Sequence, residues 1–370
     1  MSGLDFEIQL LAVVVSVACA LPGVFLVLRR MALLSDAISH SILLGIVLAF
    51  FWVQDLNSPI LILAAAATGL LMVAMVEALH ATRRVKEDAA IALVFPALFS
   101  LAVLLISRYA GNVHLDVDAV LLGEIAFAPF RRLEVAGHDL GPRSLWTMGG
   151  ILALNLLFML AFYKELKVST FDAGLAAAMG FSPVLIQYAF MGLVSVTAVG
   201  AFDAVGSILV VALMIAPPAS ARLLTDRLPL MIGLSALLAA ISAISGFWIA
   251  RGLDASIAGS MATAAGLVFL LSMLLAPDRG VVASLLRRRR QKVSFARLML
   301  TIHLLNHENS PAAPEENRLG HLSVHLRWSP EFARQVADRA ERDGLLDRGE
   351  GDRLHLTPLG REAARHFMAR

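Results

Sequence analysis

Ser35-Asp36-Ala37-Ile38-Ser39-His40 lies in an apolar stretch, five residues beyond the pair Arg29-Arg30. Asp36 and His40 are four residues apart, so on a helix both side chains leave from one face. A carboxylate and an imidazole are costly inside hydrocarbon and, where they occur together, usually mark an ion or proton path. One oxygen and one nitrogen donor at helical spacing also suit a borderline divalent cation such as Mn²⁺, Fe²⁺ or Zn²⁺. The same pair reads alternatively as a buried ion pair or a hydrogen-bonded helix contact with no ligand.

The surroundings decide the fold class. The chain has 370 residues, of which 58% are hydrophobic and 16% charged, with a mean hydropathy of +0.75. A soluble domain is about a quarter charged, so this composition is that of a membrane protein. Residues 1–280 hold 15 Lys+Arg against 18 Asp+Glu, a net of −3, whereas 281–370 hold 16 against 11, a net of +5. We therefore expect a transmembrane domain over 1–280, a basic linker over 281–293 and a small soluble domain over 294–370. The single cysteine, Cys19, excludes a disulfide within the chain and any Cys-rich metal site. Asp5 and Glu7 stand where a cleaved signal peptide would be basic, so none is expected.

Runs long enough to span hydrocarbon occur at 8–28, 31–53, 58–76, 89–107, 144–163, 182–201, 204–221, 228–250 and 255–277, which gives about nine spans. The apolar segment 119–129 is too short to cross and is expected as an interfacial helix. With nine spans in order, Arg29-Arg30, Arg83-Arg84, Lys86, Lys164, Lys167 and the run 287–290 fall on one side. The positive-inside rule makes that side cytoplasmic, with the amino terminus outside and the carboxyl terminus inside; Arg131, Arg132 and Arg143 fall on the other. Between the fifth and sixth spans, Asp172 caps a short alanine-rich helix that Gly180 ends, which reads as a docking element or a plain connector.

Other candidates are fewer. Asp203, in Phe202-Asp203-Ala204-Val205-Gly206, reads first as an interfacial cap and second as an accessory ligand, and Glu77 as a span-end residue. His114, Asp116 and Asp118 alternate and share a face if extended, as an accessory cation site or a solvated loop. In the tail, His303/His307 and His321/His325 repeat the four-residue spacing, with Glu308 as the nearest obvious carboxylate. Amphipathic helices over 295–307 and 330–342, a Gly-rich hairpin over 345–356 and a helix opening at Thr357-Pro358 describe a winged helix. The run 287–290 is better matched to lipid head groups than to nucleic acid, which is not an expected partner. No phosphate loop, Gly-x-Ser-x-Gly or His-Glu-x-x-His occurs, and no catalytic residue is expected.

Several stretches together resemble the permease subunits of ABC importers for manganese, zinc and iron, the ABC-3 type. They are the run from Leu28 through Ser41, Glu87-Asp88-Ala89-Ala90-Ile91, Leu121-Leu122-Gly123-Glu124-Ile125, and Tyr163-Lys164-Glu165-Leu166 with Phe171-Asp172 and Met179-Gly180. The stretch from Ala204 to Ala219 continues the likeness, which runs in order through 1–280. The resemblance implies that Asp36 and His40 are the membrane metal ligands and that Lys164, Glu165, Phe171, Asp172 and Gly180 belong to the segment coupled to the ATPase. It further implies an all-α polytopic protein of the bacterial plasma membrane that works with two cytoplasmic ABC ATPase subunits, an external metal-binding solute-binding protein and a second permease chain. No resident cofactor is implied; the ion is cargo, manganese favoured over iron and zinc. The tail is similar to the winged-helix module of iron- and manganese-dependent repressors. A proton-coupled secondary carrier and a membrane-tethered metal-responsive regulator are the rival readings. The first does not need the docking helix, and the second does not need nine spans.

Overall fold

The computed structural model describes residues 3–54, 58–109, 125–135, 138–308, 310–311 and 313–368. The chain divides into two compact units, Met1–Gly280 and Val281–Arg370. In the first, helices α1 (Gly3–Leu28), α2 (Ala32–Val53), α3 (Pro59–Ala81) and α4 (Glu87–Tyr109) precede a short 3₁₀ turn, Ile125–Phe130, and a hairpin of β1 (Arg132–Val135) and β2 (His138–Pro142). Then come α5 (Arg143–Ala161), two short helices α6 (Tyr163–Phe171) and α7 (Ala173–Ala178), and α8 (Pro183–Val205), α9 (Ser207–Leu224), α10 (Leu228–Leu253) and α11 (Ile257–Leu275).

Among the described residues nine helices, α1 to α5 and α8 to α11, are long and apolar enough to cross a membrane. At 1.5 Å per residue the 26 residues of α1 run to about 39 Å, more than the roughly 30 Å of hydrocarbon. Position in the bundle follows burial. In its most apolar window α1 is 72% buried and α5 only 22%, so α1 is the centre and α5 the rim. Helix α1 packs on α5, α9 and α10, while α2 packs on α3, α4 and α8. Phe25 and Phe190 meet edge to face, 5.9 Å apart, in the core between α1 and α8. Rim leucines such as Leu104, Leu157, Leu160 and Leu275 are exposed, as a lipid-facing surface requires.

Polar groups inside the bundle are mostly satisfied locally. The hydroxyls of Ser39, Thr68, Ser220, Ser242 and Ser272 bond to carbonyls four residues back. Asn155, fully buried on α5, donates to the Ala18 carbonyl at 2.9 Å and accepts from Thr197 at 3.1 Å, which joins three helices. Interhelical hydrogen bonds of this kind stabilise membrane bundles by about 0.6 kcal/mol each. Helices α8 and α9 are separated by one residue, Gly206, at φ +80 and ψ 166, a conformation open essentially to glycine. That residue turns the chain between the two spans.

Successive spans alternate in direction, so the connections 29–31, 82–86, 162–182 and 225–227 gather at one end, called here the Arg29 end. The 3₁₀ turn and the hairpin lie at the other. Of the expected interfacial helix over 119–129, only Ile125–Phe130 falls among the described helices, as a 3₁₀ turn; 119–124 lie outside the described residues. Arginines at that other end are offset by acids. Arg132 pairs with Glu7 at 3.3 Å and with Asp139, and Arg251 pairs with Asp5. The Asp139 carboxyl is held below the usual range by the Gly141 backbone N–H and then by Arg132.

The second unit comprises α12 (Val281–His307), short helices α13 (Ala313–Glu316) and α14 (Leu319–His325), α15 (Pro330–Arg342), strands β3 (Leu346–Arg348) and β4 (Leu354–Leu356), and α16 (Pro358–Met368). The stretch 281–293, read from sequence as a linker, is instead the first half of α12. Ala333, Val336, Ala337 and Ala340 recur at helical spacing on α15 and are buried with Leu300, Leu304, Leu322, Leu346 and Leu354. The caps are local: Ser329 accepts from the Phe332 N–H at 3.3 Å, and Thr357 from the Gly360 N–H at 3.1 Å. The antiparallel strands pair Leu346 with Leu356 and Arg348 with Leu354.

Candidate metal centre and its surroundings

Helix α2 presents Asp36 and His40 on one face because the small polar residues beside them turn inward. Ser35 donates to the Ala32 carbonyl at 2.8 Å and Ser39 to the Ser35 carbonyl at 2.9 Å, and both are buried. His40 Nε2 stands 3.4 Å from Asp36 Oδ1, with the two side chains 30% and 47% exposed. A divalent ion held at about 2.1 Å by two donors, at angles between octahedral and tetrahedral, separates them by about 3.0–3.4 Å. The observed spacing already fits that bite. The His40 ring is flanked on α4 by Phe95, centroids 5.6 Å apart, and by Phe99 at 6.0 Å. These aromatics restrict the imidazole to the face it shares with Asp36. Sequence reasoning missed them, although Phe95 and Phe99 are themselves four residues apart.

Two donors do not complete a coordination sphere. Among the described residues no group of three His, Cys, Asp or Glu side chains is placed to hold a metal. Asp203 lies exposed in the last turn of α8, some 20 residues from the Arg29 end, or about 30 Å along the axis. Asp36 is only four residues into α2, so the structure does not bring Asp203 to the pair. Asp203 is not a cap either, since Gly206 occupies the N-cap of α9. Glu77 lines a cavity of about 200 Å³ together with Met31, His80 and Gln187. His114, Asp116 and Asp118 lie outside the described residues.

At the Arg29 end, Leu166 is fully buried and anchors α6. Lys164 is exposed and Glu165 half-buried on the same helix. Asp172 caps α7 by accepting from the Leu175 N–H at 2.9 Å. Gly180, at φ +87, closes it while Phe181 N–H bonds back to the Ala176 carbonyl at 3.0 Å. Phe171 at the end of α6, Leu175 on α7 and Met179 just after it are 61%, 51% and 56% exposed, apolar side chains beyond the spans.

The two arginines of the Arg29-Arg30 pair have different environments. Arg30 is exposed at φ +62, whereas Arg29 turns inward. Arg29 Nε donates to Thr170 Oγ1 and Nη2 to Ser169 Oγ, each at 3.0 Å, and Nη1 donates to Gln187 Oε1. Its guanidinium carbon lies 5.3 Å from the Phe190 ring centroid. Burial pushes Arg29 down to about 10, so it stays charged at neutral pH.

In the second unit the rings of His303 and His307 lie 4.6 Å apart, tilted by 50°, and His307 pairs with Glu316 rather than with Glu308. Glu308 is instead clasped by Arg361, whose Nε reaches its two oxygens at 2.8 and 3.1 Å. The His321/His325 pair includes a side chain outside those described.

Residues 6–276 match the ABC 3 transport family. The chain belongs to that family. It is 50% identical over 357 residues to the zinc transport system membrane protein TroD of Treponema pallidum, covering 96% of this chain and 97% of the relative. It is 46% identical over 286 residues to the manganese transport system membrane protein MntD of Bacillus subtilis, covering 77% of this chain and 97% of that protein. Among solved structures, PsaBC from Streptococcus pneumoniae in complex with Fab aligns with a TM-score of 0.62 and 29% identity, covering 74% of this chain and 92% of that one. Like its ABC 3 relatives, the chain is a multi-pass membrane permease of the ABC metal-transport type and is not itself an enzyme. The family match ends before α12, whereas the similarity to TroD extends through most of the second unit.

Proposed function

We propose that this permease imports a divalent transition metal, manganese first, with Asp36 and His40 as the ligands that hold the ion within the membrane. The observation that carries the reading is the 3.4 Å carboxylate–imidazole pair, half-open on α2 and walled by Phe95 and Phe99. The relatives named for manganese and zinc transport support the same class of cargo. One carboxylate and one imidazole suit manganese, iron and zinc alike; manganese is placed first because relatives named for manganese transport recur. Water, backbone carbonyls or a second permease chain supply the remaining ligands.

In this reading the basic Arg29 end faces the cytoplasm of a bacterial cell, with the amino terminus outside and the second unit inside. An external solute-binding protein delivers the ion, and two cytoplasmic ATPase subunits dock on α6 and α7 against Phe171, Leu175 and Met179. Lys164, Glu165, Asp172 and Gly180 shape that surface. Hydrolysis of ATP on those subunits drives release inward. The second unit is a winged-helix module, supported by the β3–β4 hairpin between α15 and α16. The test is uptake by the assembled transporter in vesicles, with manganese, iron and zinc offered separately and in competition. Saturable, ATP-dependent manganese accumulation is expected; zinc accumulation that excess manganese does not inhibit would overturn the choice of ion.

A further inference from the structure

We propose that Arg29 is the mechanical link through which movement of the α6–α7 segment reaches the metal-holding helix α2. This rests on the reading of α6–α7 as the ATPase docking segment. The guanidinium uses all three nitrogens, and its acceptors belong to two elements: Ser169 and Thr170 at the end of α6, and Gln187 at the start of α8. Gln187 in turn donates to the Met31 sulfur at 3.4 Å, on the same turn that carries Arg29. That turn is tied to both spans, with Met31 N–H on the Leu26 carbonyl at 2.9 Å and Leu34 N–H on the Met31 carbonyl at 3.1 Å. From Ala32, the first residue of α2, to Asp36 is four residues, about 6 Å along the helix. A displacement of α6 therefore either carries the first turn of α2 with it or strips hydrogen bonds from a half-buried cation, which is costly. A plain membrane-surface arginine has no such arrangement. Arg30, its exposed neighbour, is the internal comparison.

The experiment uses the complete transporter, with its ATPase subunits, in vesicles that report ATP hydrolysis and manganese uptake together. Because Cys19 is the chain's one cysteine and is buried, Leu175→Cys gives a unique cross-linking handle on α7. Arg29→Met keeps the bulk and removes the donors. We expect the Leu175→Cys cross-link to the ATPase and ATP turnover to persist, while uptake per ATP falls about tenfold or more, within what mutations on a coupling route produce. Arg29→Lys is expected to remain uncoupled, since a lysine keeps the charge but not the fork. Where Arg29→Met fails to fold, Ser169→Ala with Thr170→Val removes two acceptors and should lower the same ratio. A wild-type ratio in Arg29→Met, in Arg29→Lys or in the Ser169/Thr170 double variant, with cross-linking intact, overturns the link. Loss of cross-linking in an otherwise unmodified Leu175→Cys transporter overturns the docking reading instead.

Discussion

If Asp36 and His40 grip one ion, their substitutions are not independent. Asp36→Asn keeps the shape and one neutral oxygen, and His40→Gln keeps a polar side chain of similar reach. Neither restores a charged-carboxylate-plus-imidazole bite at 3.4 Å. Removing groups that merely support a metal ligand costs roughly 10–100-fold in affinity or activity. Removing a group that touches the ion should reach at least the top of that range, about 100-fold in uptake efficiency, or about 2.7 kcal/mol. Asp36→Glu sharpens the test, because one added methylene carries the oxygen out of the 3.0–3.4 Å window while the charge is retained; it should fail almost as badly as the asparagine. The double variant should lose less than about threefold beyond either single, since one remaining donor holds nothing. Radioactive manganese uptake at matched membrane expression measures all four. Singles within threefold of wild type, or a double variant whose losses multiply, would show that the two side chains serve separate purposes.

Three further expectations follow from other parts of the fold. Gly180→Val forces a β-branched residue to φ +87, and Asp172→Lys removes the cap of α7; each should lower uptake per ATP while leaving membrane insertion intact, as vesicle assays and surface labelling would show. Gly206→Ala places a side chain in a glycine-only conformation at a cost of about 1–3 kcal/mol, which a thermal shift in detergent should register as several degrees of lost stability. Glu308→Gln should weaken the second unit by up to about 1 kcal/mol at neutral pH, because Arg361 holds the Glu308 carboxyl below its ordinary value. With a lowered folded-state value, that contribution is complete above the ordinary carboxylate range and vanishes as pH falls through the lowered one. Pulse proteolysis should then distinguish variant from wild type at pH 7, with the difference shrinking as the pH is lowered below the ordinary carboxylate range.

Legibility in the sequence divided along physical lines. The nine spans were readable because each is a long run of one chemistry, and length against bilayer thickness is a one-dimensional question. The Asp172 cap and the Gly180 stop were readable because they act within one turn of the chain. The closeness of Asp36 and His40 was readable because four-residue spacing is local too. What the sequence hid depends on contacts across 55 to 158 positions: Phe95 and Phe99 against His40, or Arg29 against Thr170 and Gln187. In the chain Arg29 and Arg30 look equivalent, and charge counting assigns both to the membrane surface. Only the packing of α6 and α8 around that turn separates the half-buried cation from the solvated one. The same limit misassigned the carboxylate beside His307. Glu308 is adjacent in sequence, yet the fold gives it to Arg361 and brings Glu316 to the histidine.

The openness of the pair also bears on how the transporter is assembled. Ser39 and Thr68 answer their polar demand within their own helix, and Asn155 does so between helices. Asp36 and His40 instead have each other, two aromatic rings and a surface that is 47% and 30% uncovered. Facing lipid, an ionised carboxylate at that depth would cost several kcal/mol, so an uncovered face of this kind in a lone chain calls for a polar neighbour. A second permease chain meeting α2 and α4 would remove the pair from lipid, supply the missing ligands and leave the ion between two subunits that ATP-driven motion can part. Cysteines placed on the Asp36 face of α2 should therefore cross-link between permease copies, or to a paired permease, in the assembled transporter. Efficient labelling of that face by a lipid-phase reagent, with no cross-link, would put the ion path elsewhere.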